Sequence, residues 1–341
     1  SQTIVNVSST PNSSTLAIGD TATITLSVNE SIQLTGTPTL ELNVGSGSRT
    51  ISMTSFLTAG QLNFTYTVEE NEFSSDLDYN ADSSFHLNGA VLTDTAGNVM
   101  TDTSLANPGT SGSLSFSSSL TIDGIRPLIS NYQLQTSNAT TTYAIPNDTV
   151  TLTFDVSEQA SSTFAANSVE FALHDGIGGS LSPYSNANSI SLLGTNTIQA
   201  VFQYTETNTA YNNYFVHWRI NSVYDLAGNV SAVVSKTANT GDLIVTYDNE
   251  ILTLVFSDIR SDNSFGNQQL ANDGNTIELE ITASENIQIT TSDITILGSP
   301  VSILTTTGVA TNLMGWSAQS RAVVPSDPSG TVSFSIDFID I

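Results

Sequence analysis

The chain has 341 residues with 6 basic and 32 acidic side chains, a formal net charge of −26, and it contains no cysteine. Six scattered cations cannot build the basic face that nucleic acid or an anionic membrane surface requires, so both partners are excluded. The lack of cysteine excludes disulfides and thiolate metal sites, and no apolar run reaches the roughly 20 residues of a membrane span, which argues against direct membrane insertion.

Three segments along the chain alternate apolar and polar residues over eight positions, and each ends on a glutamate. The glutamates are Glu30, Glu158 and Glu285, at intervals of 158 − 30 = 128 and 285 − 158 = 127 residues. Alternation with a period of two is typical of a strand with one buried and one exposed face. We therefore predict three equivalent strands from an internal repeat.

Two further markers recur at a similar interval. The motif DTAGN at Asp94 returns as DLAGN at Asp225, 131 residues later, and the linker aspartate Asp123 returns as Asp248, 125 residues later. These spacings predict three domains, residues 1–124, 125–248 and 249–341, the last of them incomplete at its C-terminus.

Each repeat contains short strands separated by frequent turn signals, and no amphipathic helix of convincing length. About seven strands in 100 to 125 residues without a βαβ rhythm indicate an all-β fold of tandem immunoglobulin-like β-sandwich domains in a linear array. A jelly roll is the alternative, and the tandem order favours the sandwich.

The combination of GDT, an alternating strand that ends in glutamate, a D-x-AGN loop and an aspartate-containing linker resembles the Ig-like (cadherin-like) tandem repeats of large bacterial surface adhesins. The resemblance implies an extracellular protein of the bacterial cell surface. It also implies that the neighbouring repeats of the same polypeptide are its partners and that it is monomeric as a fragment.

In such a sandwich the incoming linker, the end of the second strand and the loop after the sixth strand lie at the same pole. In the middle repeat these places hold Asp123, Glu158 and Asp225. Like charges that converge are unfavourable unless a cation neutralises them, and carboxylate oxygens without cysteine or histidine suit Ca2+. In the middle repeat Asn229 is a further candidate ligand through a carbonyl oxygen. The corresponding candidates elsewhere are Asp248 and Glu285 (with Asp340) in the third repeat, and Glu30 and Asp94 in the first.

The opposite pole of the first repeat is also acidic. Six acids crowd residues 69–82, including the pair Asp76 and Asp78, and we expect this loop to lie near Asp20. The spacing does not match an EF-hand. The sequence is compatible with two interpretations of this loop: a set of calcium ligands, or a solvated acidic loop.

Catalysis finds little support, and we predict that the chain is not an enzyme. The three histidines, His86, His174 and His217, have no neighbouring nucleophile, and GIGG at residues 176–179 lacks the lysine of a phosphate loop. Trp218 and Trp316 alternate with apolar residues and are predicted to lie in the core.

The functional hypothesis is therefore a calcium-rigidified extender or stalk segment of a secreted or surface-anchored adhesin. The alternatives are a module of the same adhesin that binds a glycan or a host protein, and a surface-layer structural protein.

Overall fold

The computed structural model describes residues 2–340 apart from residues 177–181, 206–210, 212, 237–243, 251, 264–266, 285–286, 311–312 and 338. The protein is all-β, as predicted: within this described part the one α-helix is α1 (Leu114–Ser117). Two compact units form, unit 1 from residues 1–135, 149–203 and 216–244, and unit 2 from residues 136–148, 204–215 and 245–341. The three predicted domain boundaries stay a prediction.

Residues 1–124 form twelve strands besides α1. They are β1 (Ile4–Thr10), β2 (Ser13–Ala17), β3 (Thr21–Val28), β4 (Ile32–Thr35), β5 (Thr39–Asn43), β6 (Ser48–Leu57), β7 (Gln61–Thr67), β8 (Phe73–Ser74), β9 (Asp78–Tyr79), β10 (Phe85–His86), β11 (Val91–Asp94) and β12 (Ser119–Asp123). The largest sheet has the order β1-β3-β7-β6-β5-β10, with β9 beside β5, and smaller sheets have the orders β11-β4 and β2-β12-β8.

The middle of the chain contributes ten strands. They are β13 (Ile129–Thr136), β14 (Tyr143–Ala144), β15 (Thr149–Val156), β16 (Val169–His174), β17 (Ser185–Asn186), β18 (Ser189–Leu193), β19 (Thr197–Gln203), β20 (Tyr214–Ile220), β21 (Val234–Ser235) and β22 (Thr246–Tyr247). In unit 1, β15 pairs with β19, β19 with β18, and β16 with β17. In unit 2, β22 pairs in parallel with β14 and antiparallel with the first two residues of β20.

Residues 249–341 contribute nine strands, all in unit 2. They are β23 (Leu254–Ser261), β24 (Ile277–Ala283), β25 (Ile287–Gln288), β26 (Ile294–Ile296), β27 (Ser299–Pro300), β28 (Ile303–Ala310), β29 (Leu313–Gln319), β30 (Phe334–Ile336) and β31 (Ile339–Asp340). Their sheets have the orders β23-β24-β29-β28, β25-β31 and β27-β26-β30.

The three strands predicted from alternation are confirmed as β3, β15 and β24. Their alternate apolar residues are buried, from Ala22 to Val28, from Val150 to Val156 and from Ile277 to Ala283. Each fully buried Leu, Ile, Val or Phe contributes about 1.5–3 kcal/mol to folding. Trp218 and Trp316 are also buried, at 2% and 4% exposure, as predicted.

One turn recurs before each of these three strands. The backbone N–H of Ala17 donates to the Asp20 carboxylate at 2.9 Å, that of Ile145 donates to Asp148 at 2.9 Å, and that of Asn272 donates to the Asn275 side chain at 2.7 Å. In each case the N–H of the later residue donates back to the carbonyl of the earlier one. The turns are 145 − 17 = 128 and 272 − 145 = 127 residues apart, so the sequence repeat has a counterpart in hydrogen bonding.

A second recurring contact anchors the entry to each repeat beside the strand that ends in glutamate. The backbone N–H groups of residues 3, 128 and 253 donate to the side chains of Asn29, Ser157 and Ser284. The backbone N–H groups of Asn29, Ser157 and Ser284 in turn donate to the backbone carbonyls of residues 3, 128 and 253. Each glutamate therefore follows a residue that is tied to the incoming chain.

Candidate metal centre

Three carboxylates that are distant in sequence meet in unit 1. Asp123 ends β12, Glu158 follows β15 by two residues, and Asp225 lies in the DLAGN loop. One oxygen from each lies within 4.8 Å of the others. Within the described part of the chain, this is the one group of three or more acidic or histidine side chains that comes this close. The structure thus brings together the three residues that the sequence analysis placed at one pole.

The DLAGN loop holds Asp225 in a fixed orientation. Asp225 is 3% exposed, and its Oδ1 accepts from the backbone N–H groups of Gly228 at 2.6 Å and Asn229 at 2.8 Å. Its backbone pairs with Ala160, two residues after Glu158. Gly228 has a φ of +108°, a conformation that a residue with a side chain rarely adopts. The loop therefore aims a buried carboxylate at the strand end that carries Glu158.

Asn229 links the three segments that surround the acids. Its Nδ2 donates to Asp225 Oδ2 and to the backbone carbonyl of Asp123, each at 2.8 Å. Its Oδ1 accepts from the backbone N–H of Ile18 at 2.8 Å, in the turn of the first repeat. These contacts hold the three segments together, and a role of Asn229 as a metal ligand stays a prediction.

The linker reaches this site through a close backbone contact with residues 69–72. Gly124 N–H donates to the carbonyl of Glu72 at 2.7 Å, and Asn71 N–H donates to the carbonyl of Gly124 at 2.8 Å. A Cβ at position 124 would lie 2.3 Å from the carbonyl oxygen of Glu69 and 2.7 Å from that of Glu72. A glycine is therefore required at this position for the linker to pass, and sequence reasoning did not identify it.

Burial and mutual repulsion make full ionisation of the three carboxyl groups unfavourable. Glu158 is half-buried, and its Oε1 is buried without a hydrogen-bond partner. Burial raises the pKa of Glu158 to about 7, with smaller contributions from the charges of Asp123 and Asp225. Burial also raises the pKa of Asp123, and the charge of Asp225 adds to this effect. A cation among these oxygens would relieve both the desolvation and the repulsion.

Two arginines pair with three of the six acids in the acidic loop of the first repeat, which sequence reasoning missed. Arg49 forms ion pairs with Glu69 and, at 2.9 Å, with Glu72. Glu72 is 6% exposed and also accepts from Tyr66 Oη at 2.9 Å. Arg126 Nε contacts Glu70 at 3.2 Å, and the Arg126 Nη1 donates to the carbonyl of Val230 at 3.0 Å. The sequence offered one signal for these ion pairs, the small number of basic residues. A buried acid has to pair with a cation, and few arginines are present to do so.

The other acids proposed near that pole are found in local hydrogen bonds. Asp20 accepts from Ala17 in its own turn, and Asp78 Oδ2 accepts from Gly109 N–H at 3.0 Å and Ser115 Oγ at 2.6 Å. Asp76 is exposed, yet partial burial of its carboxyl raises its pKa. Among the described residues, Asp20, Asp76 and Asp78 do not form a group like that around Glu158.

The first repeat contains the same loop around Asp94. Asp94 Oδ1 accepts from Ala96 and Asn98 N–H, and its Oδ2 accepts from Asn98 Nδ2 at 2.7 Å. These bonds, first those from Asn98, lower the pKa of Asp94. Glu30 is half-buried just beyond β3. Asp94 therefore provides a natural comparison for Asp225.

The second junction is described in part. Asp248 is 5% exposed, and its Oδ1 accepts from Glu250 N–H at 3.0 Å. Glu285 lies outside the described residues. Asp340 pairs with Ile287, two residues after Glu285, as Asp225 pairs with Ala160. The backbone register thus gives Asp340 the place that Asp225 has in the middle repeat.

A cluster on the middle repeat was not foreseen. Tyr184 Oη lies 3.0 Å from His217 Nδ1, Arg219 lies 3.9 Å from the centre of the Tyr184 ring, and the His174 and His217 rings stack at 5.6 Å. Burial lowers the pKa of His217 to about 4, helped by His174 and Lys236. These contacts are mutual and support packing of the sheet face.

Comparisons with known proteins do not assign the chain. No protein-family model matches it, and a search of the curated proteins finds no match. In the described part of the chain no helix is long and apolar enough to cross a membrane.

Proposed function

We propose that Asp123, Glu158 and Asp225 bind a calcium ion at the junction between the first and middle repeats. Two observations carry the proposal: one oxygen from each carboxylate lies within 4.8 Å of the others, and Glu158 Oε1 is buried without a hydrogen-bond partner. A carboxylate oxygen carries two lone pairs. Asp123 Oδ1 and Asp225 Oδ2 each accept one hydrogen bond and retain a lone pair for a cation, whereas Asp225 Oδ1 already accepts two.

The donor set favours calcium over other ions. Ca2+ takes 6–8 oxygen ligands in flexible geometry, whereas zinc prefers nitrogen and sulfur ligands. The three carboxylates offer up to five oxygens, because Asp225 Oδ1 already accepts two N–H groups, and water would complete the shell. The ion would offset two of the three negative charges and stabilise the fold by mass action, by about 2.7 kcal/mol at a hundredfold excess over the dissociation constant.

We further propose that the repeats are immunoglobulin-like sandwiches and that the chain is an extender or stalk segment of a bacterial surface adhesin. Support comes from the recurring turns and anchors at 127–128 and 125-residue spacing and from the resemblance of the motifs. The high negative charge favours solubility and mutual repulsion of such arrays. An extracellular location fits a weak calcium site, since calcium is abundant there. The binding-module and surface-layer hypotheses remain the alternatives.

Isothermal titration of the chelator-treated chain with CaCl2 tests the metal proposal. The matched pair is Asp225→Asn and Asp94→Asn, because both aspartates make the same bonds in the same loop but only Asp225 belongs to the acidic group. We expect Asp225→Asn to weaken binding at least about tenfold and Asp94→Asn to leave this site unchanged. Equal binding in the wild type and Asp225→Asn would contradict the proposal.

A further inference from the structure

Five polar or aromatic side chains of unit 1 share the outer face of the sheet that contains β16 and β20. They are Glu170, His174, Tyr184, His217 and Arg219. The residues that alternate with them along the two strands are 0–2% exposed in the core. Because successive side chains of a strand point to opposite faces, the polar set points away from the core.

Arg219 is held in place while its terminal nitrogens stay unused. Its Nε donates to Glu170 Oε2 at 2.6 Å, and its guanidinium carbon lies 3.9 Å from the centre of the Tyr184 ring. Asn221 Nδ2 donates to the same Glu170 oxygen at 2.6 Å. Among the residues that the structure describes, neither Nη group of Arg219 has a hydrogen-bond partner, and the side chain is 37% exposed.

The other four arginines use their terminal nitrogens. Arg49, Arg260 and Arg321 each direct both Nη groups to carboxylates, and Arg126 directs one to a backbone carbonyl. In a chain with 32 acidic and 6 basic side chains, a guanidinium edge without an acid stands apart. Such an edge has the planar fork that a carboxylate matches with two parallel hydrogen bonds.

Two ring nitrogens add donors on the same face. His217 lies two residues from Arg219, about 7 Å along the strand. Burial lowers the pKa of His217 to about 4, so its ring is neutral at pH 7. The Tyr184 hydroxyl contacts Nδ1 of this ring at 3.0 Å, and with the hydroxyl as donor the ring proton is on Nε2.

His174 has the same arrangement. Its ring stacks on that of His217 at 5.6 Å, and its Nδ1 accepts from Gly176 N–H at 2.8 Å, so the neutral ring carries its proton on Nε2. Asp175 lies on the Nδ1 side, 3.8 Å away. In the described ranges of the chain, Nε2 of both rings is without a hydrogen-bond partner.

We propose that this face binds a sugar acid, with its carboxylate on the two Nη groups of Arg219 and its hydroxyl oxygens on Nε2–H of His174 and His217. The unused groups are all donors, which selects a ligand rich in oxygen acceptors. The planar fork of Arg219 selects a carboxylate. The net charge of −26 disfavours a polyanion, so a ligand with one carboxylate fits best. This inference does not depend on the calcium proposal.

The test is a titration of the chelator-treated chain with galacturonate, which has one carboxylate, and with galactose as the neutral control. NMR signals of the imidazole nitrogens distinguish the three histidines. We expect the signals of His174 and His217 to shift to saturation with galacturonate and to stay unchanged with galactose. His86, 48% exposed in the first repeat, is the internal control and should not shift.

A pair of conservative variants tests the fork. Arg219→Lys keeps the charge beside Glu170 but lacks the planar fork, so it should weaken binding at least about tenfold. Arg321→Lys is the matched control in the third repeat, because Arg321 already directs both Nη groups to Asp327, and it should bind like the wild type. A galacturonate trimer distinguishes a free sugar acid from one within a polysaccharide, since the source is the form that binds more tightly.

Three results would each overturn the proposal. Equal shifts with galactose would show that the carboxylate is not recognised. Equal affinity of Arg219→Lys and the wild type would show that the guanidinium fork is not used. Inorganic sulfate that binds as tightly as galacturonate would show that the hydroxyl oxygens of a sugar contribute nothing.

Discussion

Replacing Glu158 by glutamine removes one charge from the acidic group and preserves the size of the side chain. The pKa of Glu158 rises from its ordinary value of 4.5 to about 7, first through burial and then through Asp123 and Asp225. A pKa difference of 1 corresponds to 1.36 kcal/mol, which sets an upper limit of about 3 kcal/mol for ionising this carboxyl. Solvent screening at a half-buried position reduces the expected cost to about 1–2 kcal/mol.

The sign of the effect follows from proton linkage. Because the folded pKa of Glu158 is above the unfolded one, its contribution to stability is full below about 4.5 and is lost as the pH rises through about 7. In chelator at pH 8, Glu158→Gln should therefore be more stable than the wild type by about 1–2 kcal/mol. The new amide can also donate to the remaining carboxylates of Asp123 and Asp225.

Calcium should reverse this order. The wild type gains about 2.7 kcal/mol at a hundredfold excess over the dissociation constant, while the variant has one charged ligand fewer and gains less. Urea unfolding followed by tryptophan fluorescence, with chelator and with calcium, measures both differences, and Asp94→Asn serves as the control. A loss of stability in Glu158→Gln that is equal in chelator and in calcium would refute the reasoning and give Glu158 a purely structural role.

Three further changes test the junction. Gly124→Ala should destabilise the fold by about 1–3 kcal/mol in urea unfolding, because its Cβ would overlap backbone oxygens; unchanged stability would contradict the contact. Asn229→Ala should cost about 2–3 kcal/mol by the same assay, because three hydrogen-bonded groups lose their partner. Asn98→Ala, at the more exposed equivalent position, should cost less. Spin labels can be attached to cysteines placed at the exposed residues Ser46 and Thr195. If the junction is held by its own hydrogen bonds, the distance between the labels should have one narrow distribution both in chelator and in calcium. A broad distribution in chelator would contradict this.

Local pattern was sufficient for the elements that repeat. The alternation in β3, β15 and β24 predicted which residues are buried, because side chains on a strand face opposite sides with a period of two. The convergence of Asp123, Glu158 and Asp225 was also accessible, since each lies at a strand end or loop that recurs in the sequence. The first inference uses only neighbouring residues, whereas the second also needs the strand order that we predict for a sandwich, which brings three distant segments to one pole.

The role of Gly124 and the burial of Glu72 depend on contacts between segments that are distant in sequence. The pattern of neighbouring residues does not predict such contacts. Gly124 looks like an ordinary linker glycine, and its requirement appears only once the carbonyls of residues 69 and 72 lie against it. Glu72 looks like one of several solvated acids, but it is buried with Tyr66 and Arg49. Arg49 is 23 residues away in sequence, so no motif could have joined the pair.

The junction contacts separate two roles that a calcium ion could have. The linker is bonded to the first repeat through Gly124, and to the middle repeat through Arg126 and the carbonyl of Asp123. Asn229 also reaches Ile18 across the junction. Because these bonds involve no metal, they define the path of the chain between the repeats without it. The acidic group adds charge repulsion at that same place, so the main effect of calcium should be to offset this repulsion and raise the stability of the fold.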